Sequence, residues 1–162
     1  MDSLRILYYR SVEDKSSLDK TLTYIEDLRR ENRINDALLT VYEGSLTGLK
    51  GKHALSPRKK YHYVMESLPM MEKARRMDST NVEILFIQGT TTYYLPFFFH
   101  QQKRAVANFH AIVRLLPQVH HEYPADLVVN VINFLEEHSH LCPDEKACLE
   151  DMLKQLRRIY GE

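Results

Sequence analysis

The sequence predicts an all-α chain, and three observations carry that prediction. Apolar residues return every three or four positions through most of the 162 residues, the spacing that lines one face of a helix. No stretch alternates β-branched with polar residues as a half-buried strand does. Only five glycines and six prolines punctuate the chain, so few breaks are expected within its elements.

Taken in order, "MDSLRILYYRSVEDK" has an acid at position 2 and a short apolar patch, unlike a secretory leader with its basic start and long apolar core. Ser16 with Asp19 offers a capping box, and Leu18, Leu22, Ile25 and Leu28 follow at helical spacing up to the polar "RRENR". Asn35 opens a second helix with Leu38, Val41, Tyr42, Ser45, Leu46 and Leu49 on one side, and Gly48 and Gly51 weaken its end. Ser56 and Pro57 read as an N-cap followed by proline at the first helical position, with Tyr61, Val64, Met65 and Leu68 behind them. Proline costs about 3 kcal/mol in a helix interior but little in a first turn. Ser67 before Pro69 therefore reads as a new cap, and 68–77 as a separate or kinked helix. Further helices are expected at about 80–95, 102–116, 124–139 and 144–160, with Pro124 and Pro143 at first helical positions.

The helices recur in a pattern. Leu85, Gln88, Gly89 and Thr92 of "LFIQGTTT", followed by Ala105, Phe109 and Pro117 of "AVANFHAIVRLLP", resemble a divergent tetratricopeptide repeat, a helix-turn-helix of about 34 residues. One repeat earlier, Ser67, Met71, Ala74 and Ser79 take the second-helix places, and Gly44 offers the small residue where paired helices approach. One repeat later, Ala147 takes the alanine place and Val131 stands where glycine would. The resemblance covers roughly 34–160 and implies a right-handed α-α superhelix, a TPR-like stack of about three helical pairs behind an N-terminal helix. Its segments are an N-terminal cap at 1–33 and pairs at 34–79, 80–117 and 118–160, all within one domain. It also implies that Gly89 and Ala105 face each other.

Gly89 and Ala105 are sixteen positions apart, against roughly twelve in the repeat pattern, and the surplus is the "LPFF" neighbourhood. Loops enlarged at one edge of a solenoid are where such folds place individual functions. The run "YYLPFFF" cannot span a membrane, being far short of the roughly 18 apolar residues needed. Two uses remain: core, with Tyr93, Tyr94, Phe97 and Phe98 folded back over neighbouring helices, or anchors for a protein, a peptide or a second copy. Three successive side chains cannot all point inward, so Phe98 or a neighbour is expected buried and one ring outside. The resemblance further implies a groove lined by Glu83, Phe86, Thr90, Tyr93 and Tyr94, with Leu38, Val41 and Ser45 on one side and Val128, Ile132 and Leu135 on the other. The partner-binding residues expected are Phe86, Thr90, Tyr93, Tyr94, Phe97, Phe98 and Phe99. The groove lacks the basic row with which some family members hold acidic C-terminal peptides.

Other clusters are weaker. Lys50, Lys52, His53, Arg58, Lys59 and Lys60 gather before and into the helix start at Ser56–Pro57. Of these Lys52, Arg58, Lys59 and Lys60 are candidate anion ligands, against the plainer reading of a solvated loop. His120, His121, His138, His140, Cys142 and Cys148 have metal-ligating atoms but no zinc-site spacing. Glu136 and Glu137 before His138 are joined by no nucleophile or phosphate loop that spacing would place. Twenty-two basic residues balance twenty-two acidic ones, so no global field recruits nucleic acid or an anionic membrane. Two cysteines are too few for a secreted disulfide framework, and a cytoplasmic protein is expected.

The reading is thus a non-enzymatic interaction module or scaffold, without cofactor, metal, nucleic acid or membrane span, binding a protein or peptide or another copy of itself. The alternative from another class is a small helical enzyme or metal-binding protein using the 136–142 loop.

Overall fold

The computed structural model describes residues 1–32, 34–139 and 141–160, and no strand occurs among them. None of the described helices is long and apolar enough to cross a membrane. The chain forms two compact units, Met1–Thr91 and Thr92–Glu162. Gly89 falls in the first and Ala105 in the second.

The first unit is built from α1 (Asp2–Glu13), α2 (Lys15–Glu31), α3 (Asp36–His53), α4 (Pro57–Met77) and most of α5 (Val82–Tyr93). Two helices, α1 and α2, stand where the sequence pattern predicts one. The cap between them is Asp14, not Ser16: its carboxylate accepts from the Ser16 and Ser17 amides at 3.0 Å each and from both hydroxyls. A charged acceptor at a helix N-terminus outcompetes a neutral hydroxyl. These bonds, the Ser17 hydroxyl first, hold the Asp14 carboxyl well below its ordinary range.

Asn35 caps α3 through a bond from the Ala37 amide at 2.9 Å, as the sequence indicates. From Ala37 to Thr47 this helix is buried almost all round, which makes it the central rod of the unit. It forms an antiparallel hairpin with α4, whose backbone approaches it closely where glycine leaves room. A Cβ on Gly44 would lie 2.9 Å from Met71 Cγ, and one on Gly51 would lie 3.2 Å from the Lys60 carbonyl. Gly44 is thus a helix-packing glycine, but it meets Met71, and Ser67, the residue in the alanine place, lies 3.0 Å from a Cβ on Gly48; Gly48 and Gly51 do not end the helix.

Of the separate or kinked helix expected at 68–77, the separate one is absent: α4 is a single helix from Pro57 to Met77 with Pro69 inside it. The proline is exposed while Ser67, Met71 and Ala74 on the opposite side are buried, and that packing offsets the missing backbone bond. Likewise α6 continues past Pro117 to Val119.

Polar side chains tie three of these helices together inside the core. Arg5 of α1 grips Glu83 of α5 with both arms, Nε to Oε1 at 2.8 Å and Nη2 to Oε2 at 2.7 Å. Tyr42 of α3 donates to the same carboxylate at 2.5 Å. Glu83 is 2% exposed; it lies in the interior, not on the groove that the repeat pattern implies. Leu38, Val41 and Ser45, expected beside it on the groove, are buried as well. One turn along, Tyr8 of α1 bonds Ser45 at 2.7 Å and Ser45 bonds Thr91 of α5 at 2.8 Å. The hydrogen bond to Glu83 raises the Arg5 pKa further, and burial followed by the Glu83 charge pushes the Tyr42 phenol far up. Around these polar links pack Leu4, Leu18, Ile25, Leu39, Leu46, Met71, Ile84 and others.

The second unit comprises the last residues of α5, a 3-10 turn at Phe97–Phe99, α6 (Gln102–Val119), a second 3-10 turn at His120–Glu122, α7 (Ala125–His138) and α8 (Pro143–Tyr160). Phe109, Ile112 and Leu116 of α6, Val131, Ile132 and Leu135 of α7 and Leu149 of α8 are fully or almost fully buried. Pro143 takes the first helical position of α8 as expected, whereas Pro124 lies one residue before the start of α7.

Removing one partner from a buried ion pair leaves the other charge unsolvated, at a cost of about 3–5 kcal/mol. Glu83→Ala is expected to lose that much in urea unfolding. Arg5→Met, Tyr42→Phe and Glu83→Leu together are expected to recover most of it, because no buried polar atom is then left over.

Candidate docking surface

The aromatic run is divided by its backbone into two sets of rings. Tyr93 ends α5 and Tyr94 follows it, and within the second unit the Tyr93 ring centroid lies 6.0 Å from Phe109, 6.0 Å from Phe134 and 5.7 Å from His138. Phe134 bridges Phe109 at 5.6 Å and His138 at 4.6 Å. These are edge and tilted contacts of the kind aromatic quadrupoles favour, and they fasten the end of α5 to α6 and α7.

The second set projects. Pro96 fixes the entry to the turn, the Phe99 amide bonds the Pro96 carbonyl at 3.0 Å, and the His100 amide bonds the Phe97 carbonyl at 2.9 Å. His100 sits at φ 53°, a left-handed conformation that reverses the chain before α6. Gln101 Nε2 adds a bond to the Phe99 carbonyl at 2.9 Å. A turn this tight spends its backbone groups on itself and leaves the rings outside: Phe97 is 79% exposed and Phe98 54%, while Phe99 is half-buried. Phe98 contacts Phe97 at 6.0 Å and Phe99 at 4.6 Å.

This corrects the expected split, in which Phe98 or a neighbour is buried. None of the three rings is. Of the four rings expected to fold back over neighbouring helices, Tyr93 and Tyr94 do lie against Phe134 and His138 though they stay exposed, Tyr94 to 66%, whereas Phe97 and Phe98 do not. Phe86 is buried. Thr90 is half-buried and gives its hydroxyl to the Phe86 carbonyl at 2.9 Å. Val128, Ile132 and Leu135 are likewise interior. The residues gathered at the surface are thus Tyr94, Phe97 and Phe98, with Tyr93 and Phe99 partly engaged.

No protein-family model, curated protein or solved structure matches the chain. The site therefore rests on its own geometry.

The remaining clusters are placed as follows. Lys52 bonds the Val12 carbonyl at 2.8 Å and Glu13 at 2.9 Å, and His53 Nε2 lies 3.1 Å from the Ser11 carbonyl. These two residues tie the ends of α3 and α1. Arg58, Lys59 and Lys60 stand exposed in the first turn of α4, where the Ser56 side chain makes no cap bond. His120 and His121 stack edge-on at 5.8 Å, His138 joins the ring cluster, and Cys142 and Cys148 are exposed. His140 lies outside the described residues. Among those described, no three His, Cys, Asp or Glu side chains come within reach of a common metal ion.

One polar link was hidden by sequence distance. His110 of α6 meets Glu145 of α8, Nδ1 to Oε1 at 2.8 Å, and the other Glu145 oxygen accepts from the Cys142 amide at 2.9 Å. This is the reach-back half of a capping box at the start of α8. The Cys142 amide first, and His110 next, hold the Glu145 carboxyl below its ordinary pKa.

A carboxylate whose pKa is depressed by folding adds stability above its unfolded pKa and loses it as pH falls through the folded value. Wild-type protein is thus expected to lose stability below about pH 4 in part through Glu145. Glu145→Gln is expected to show a shallower loss there, measured as urea midpoints from pH 7 to pH 3. The two ring sets also separate by stability. Phe109→Ala is expected to cost about 3–5 kcal/mol and Phe97→Ala under about 0.5 kcal/mol, read from urea unfolding of dilute protein.

Proposed function

We propose that the chain is a non-enzymatic interaction module, a divergent TPR-like repeat protein that docks a protein or peptide through the rings of the Phe97–Phe99 turn and the adjoining Tyr94. The observation that carries this reading is the exposure of Phe97 and Phe98 on a turn whose conformation is set by its own backbone bonds. Large apolar rings held outside on a fixed scaffold lose little entropy when a partner covers them, and soluble proteins seldom display such a group of rings without use. The repeat reading draws on the antiparallel α3–α4 hairpin, in which glycines of α3 meet the second-helix places of α4, although in a register where Gly48 and not Gly44 meets Ser67. The superhelical arrangement of the pairs and the cytoplasmic location belong to this proposal.

Phe97→Ser with Phe98→Ser tests the docking reading. The variant is expected to keep its urea midpoint, because neither ring is buried, and to lose partner capture from the native host or self-association at high concentration. Unchanged capture and unchanged association would reject the docking role of these rings.

A further inference from the structure

A second group of exposed side chains lies in the first unit, at the tip of the α3–α4 hairpin. Leu55 stands 98% exposed there, between the end of α3 at His53 and the start of α4 at Pro57. Arg58, Lys59, Lys60 and Tyr61 follow in the first turns of α4 and are all exposed, Tyr61 to 53%. Every Cα–Cβ bond of a helix tilts toward its N-terminus, so these four side chains lean toward the loop that carries Leu55. Lys50 in the last turn of α3 adds a further charge. No ion pair ties the side chains of Lys50, Arg58, Lys59 or Lys60 to another described residue.

The tip stays basic when every element at this end is counted. Lys52 donates to Glu13 at 2.9 Å and to the Val12 carbonyl at 2.8 Å, and His53 Nε2 lies 3.1 Å from the Ser11 carbonyl. The junction of α1 and α2 therefore meets the hairpin tip. Residues 10–20 and 50–66 together carry eight lysines and arginines against four carboxylates, and α5 brings no charged residue from 84 to 91. The remainder of 1–91 carries seven basic residues against nine acidic ones. Of the four carboxylates near the tip, Glu13 is engaged by Lys52 and Asp14 by the cap of α2.

We propose that this tip docks on an anionic lipid surface. Leu55 enters the boundary between headgroups and acyl chains, Tyr61 lies at headgroup level, and Arg58, Lys59 and Lys60 meet the lipid phosphates and carboxylates. The apolar apex selects a bilayer over other anions. A single leucine on a projecting loop needs no matching pocket in a fluid interface, whereas a free phosphate or a nucleic-acid backbone offers it nothing apolar to enter. Shallow apolar insertion combined with attraction to anionic lipid is how proteins bind the membrane surface without crossing it. One leucine and one ring make a weak anchor, so the basic residues are required and docking is reversible and salt-sensitive. The site is separate from the Phe97–Phe99 turn and does not depend on the docking reading above.

Vesicle flotation of the full chain tests it. Binding is expected to vesicles of phosphatidylcholine mixed with phosphatidylserine, not to phosphatidylcholine alone, and about 1 M salt is expected to reverse it. Arg58→Gln with Lys59→Gln and Lys60→Gln is expected to weaken binding on the order of a hundredfold, since each basic residue near such a surface contributes roughly fivefold. Leu55→Ser is expected to weaken it about tenfold or more, and Phe97→Ser with Phe98→Ser to leave it unchanged. Circular dichroism and urea midpoints establish that each variant is folded. The chain has no tryptophan, so Leu55→Trp supplies a single reporter, whose emission is expected to shift to the blue on the mixed vesicles and to be quenched by brominated lipid. Absence of binding to the mixed vesicles, a triple glutamine variant that binds as wild type does, or a reporter unmoved on bound vesicles overturns the proposal. So does binding lost in the Phe97→Ser/Phe98→Ser variant, which places the contact at the ring turn. Release of the vesicles by inorganic phosphate at constant ionic strength, or by an oligonucleotide that binds Leu55→Ser equally well, overturns it in favour of a soluble anion.

Discussion

The first unit is organised around one carboxylate. Glu83 cannot sit at 2% exposure unless its charge is matched, because an unpaired buried carboxylate costs several kcal/mol. The match comes from two other helices, the Arg5 guanidinium and the Tyr42 hydroxyl. Apolar packing alone tolerates helices that slide or rotate by part of a turn. A bidentate guanidinium and a phenol aimed at the same oxygen atoms do not, so α1, α3 and α5 are fixed in register. The Tyr8–Ser45–Thr91 chain repeats the constraint one turn further on.

That arrangement separates what folds the chain from what the chain can bind. Inside the first unit, Arg5, Tyr42 and Glu83 face one another, as do Tyr8, Ser45 and Thr91, and their polar groups are engaged. In the second unit, Tyr93, Phe109, Phe134 and His138 form a ring cluster that serves packing, and the turn that follows Pro96 carries rings outward. Stability and docking are then assigned to different aromatic residues only a few positions apart. The left-handed His100 and the tight 3-10 turn make that division possible, since an ordinary helical continuation of α5 would have carried some of these rings inward.

Much of the fold was legible because helical periodicity is a local signal. The α2 stripe, the Asn35 cap and the later helices follow from residues within one or two turns of each other. Other features depended on residues far apart in sequence. Nothing near Glu83 distinguishes a surface glutamate from one whose partners lie 78 and 41 positions away, and a first-helix position in a repeat pattern argued for the groove. Pro69 failed as a break because the buried face of α4 outweighs one lost hydrogen bond. Within the candidate site, the sequence located the aromatic run and its proline stop, but it could not set the exposure of each ring. That is decided by a turn whose bonds depend on His100 taking an uncommon backbone conformation.

In the proposed docking role, Phe97 and Phe98 are held outside the fold to meet a partner, while Phe86 and Phe109 pack inside it. The chain has six phenylalanines and no tryptophan, so fluorine NMR of fluorophenylalanine-labelled protein, with a soluble gadolinium relaxation agent, can read each ring separately after assignment by single substitution. At low concentration the resonances of Phe97 and Phe98 are predicted to broaden strongly, that of Phe99 less, and those of Phe86 and Phe109 hardly at all. As partner or protein concentration rises, Phe97 and Phe98 are predicted to become shielded while Phe86 and Phe109 stay unchanged. Equal shielding of Phe97, Phe98 and Phe109 in the dilute protein would contradict the account, because the turn would then be part of the core.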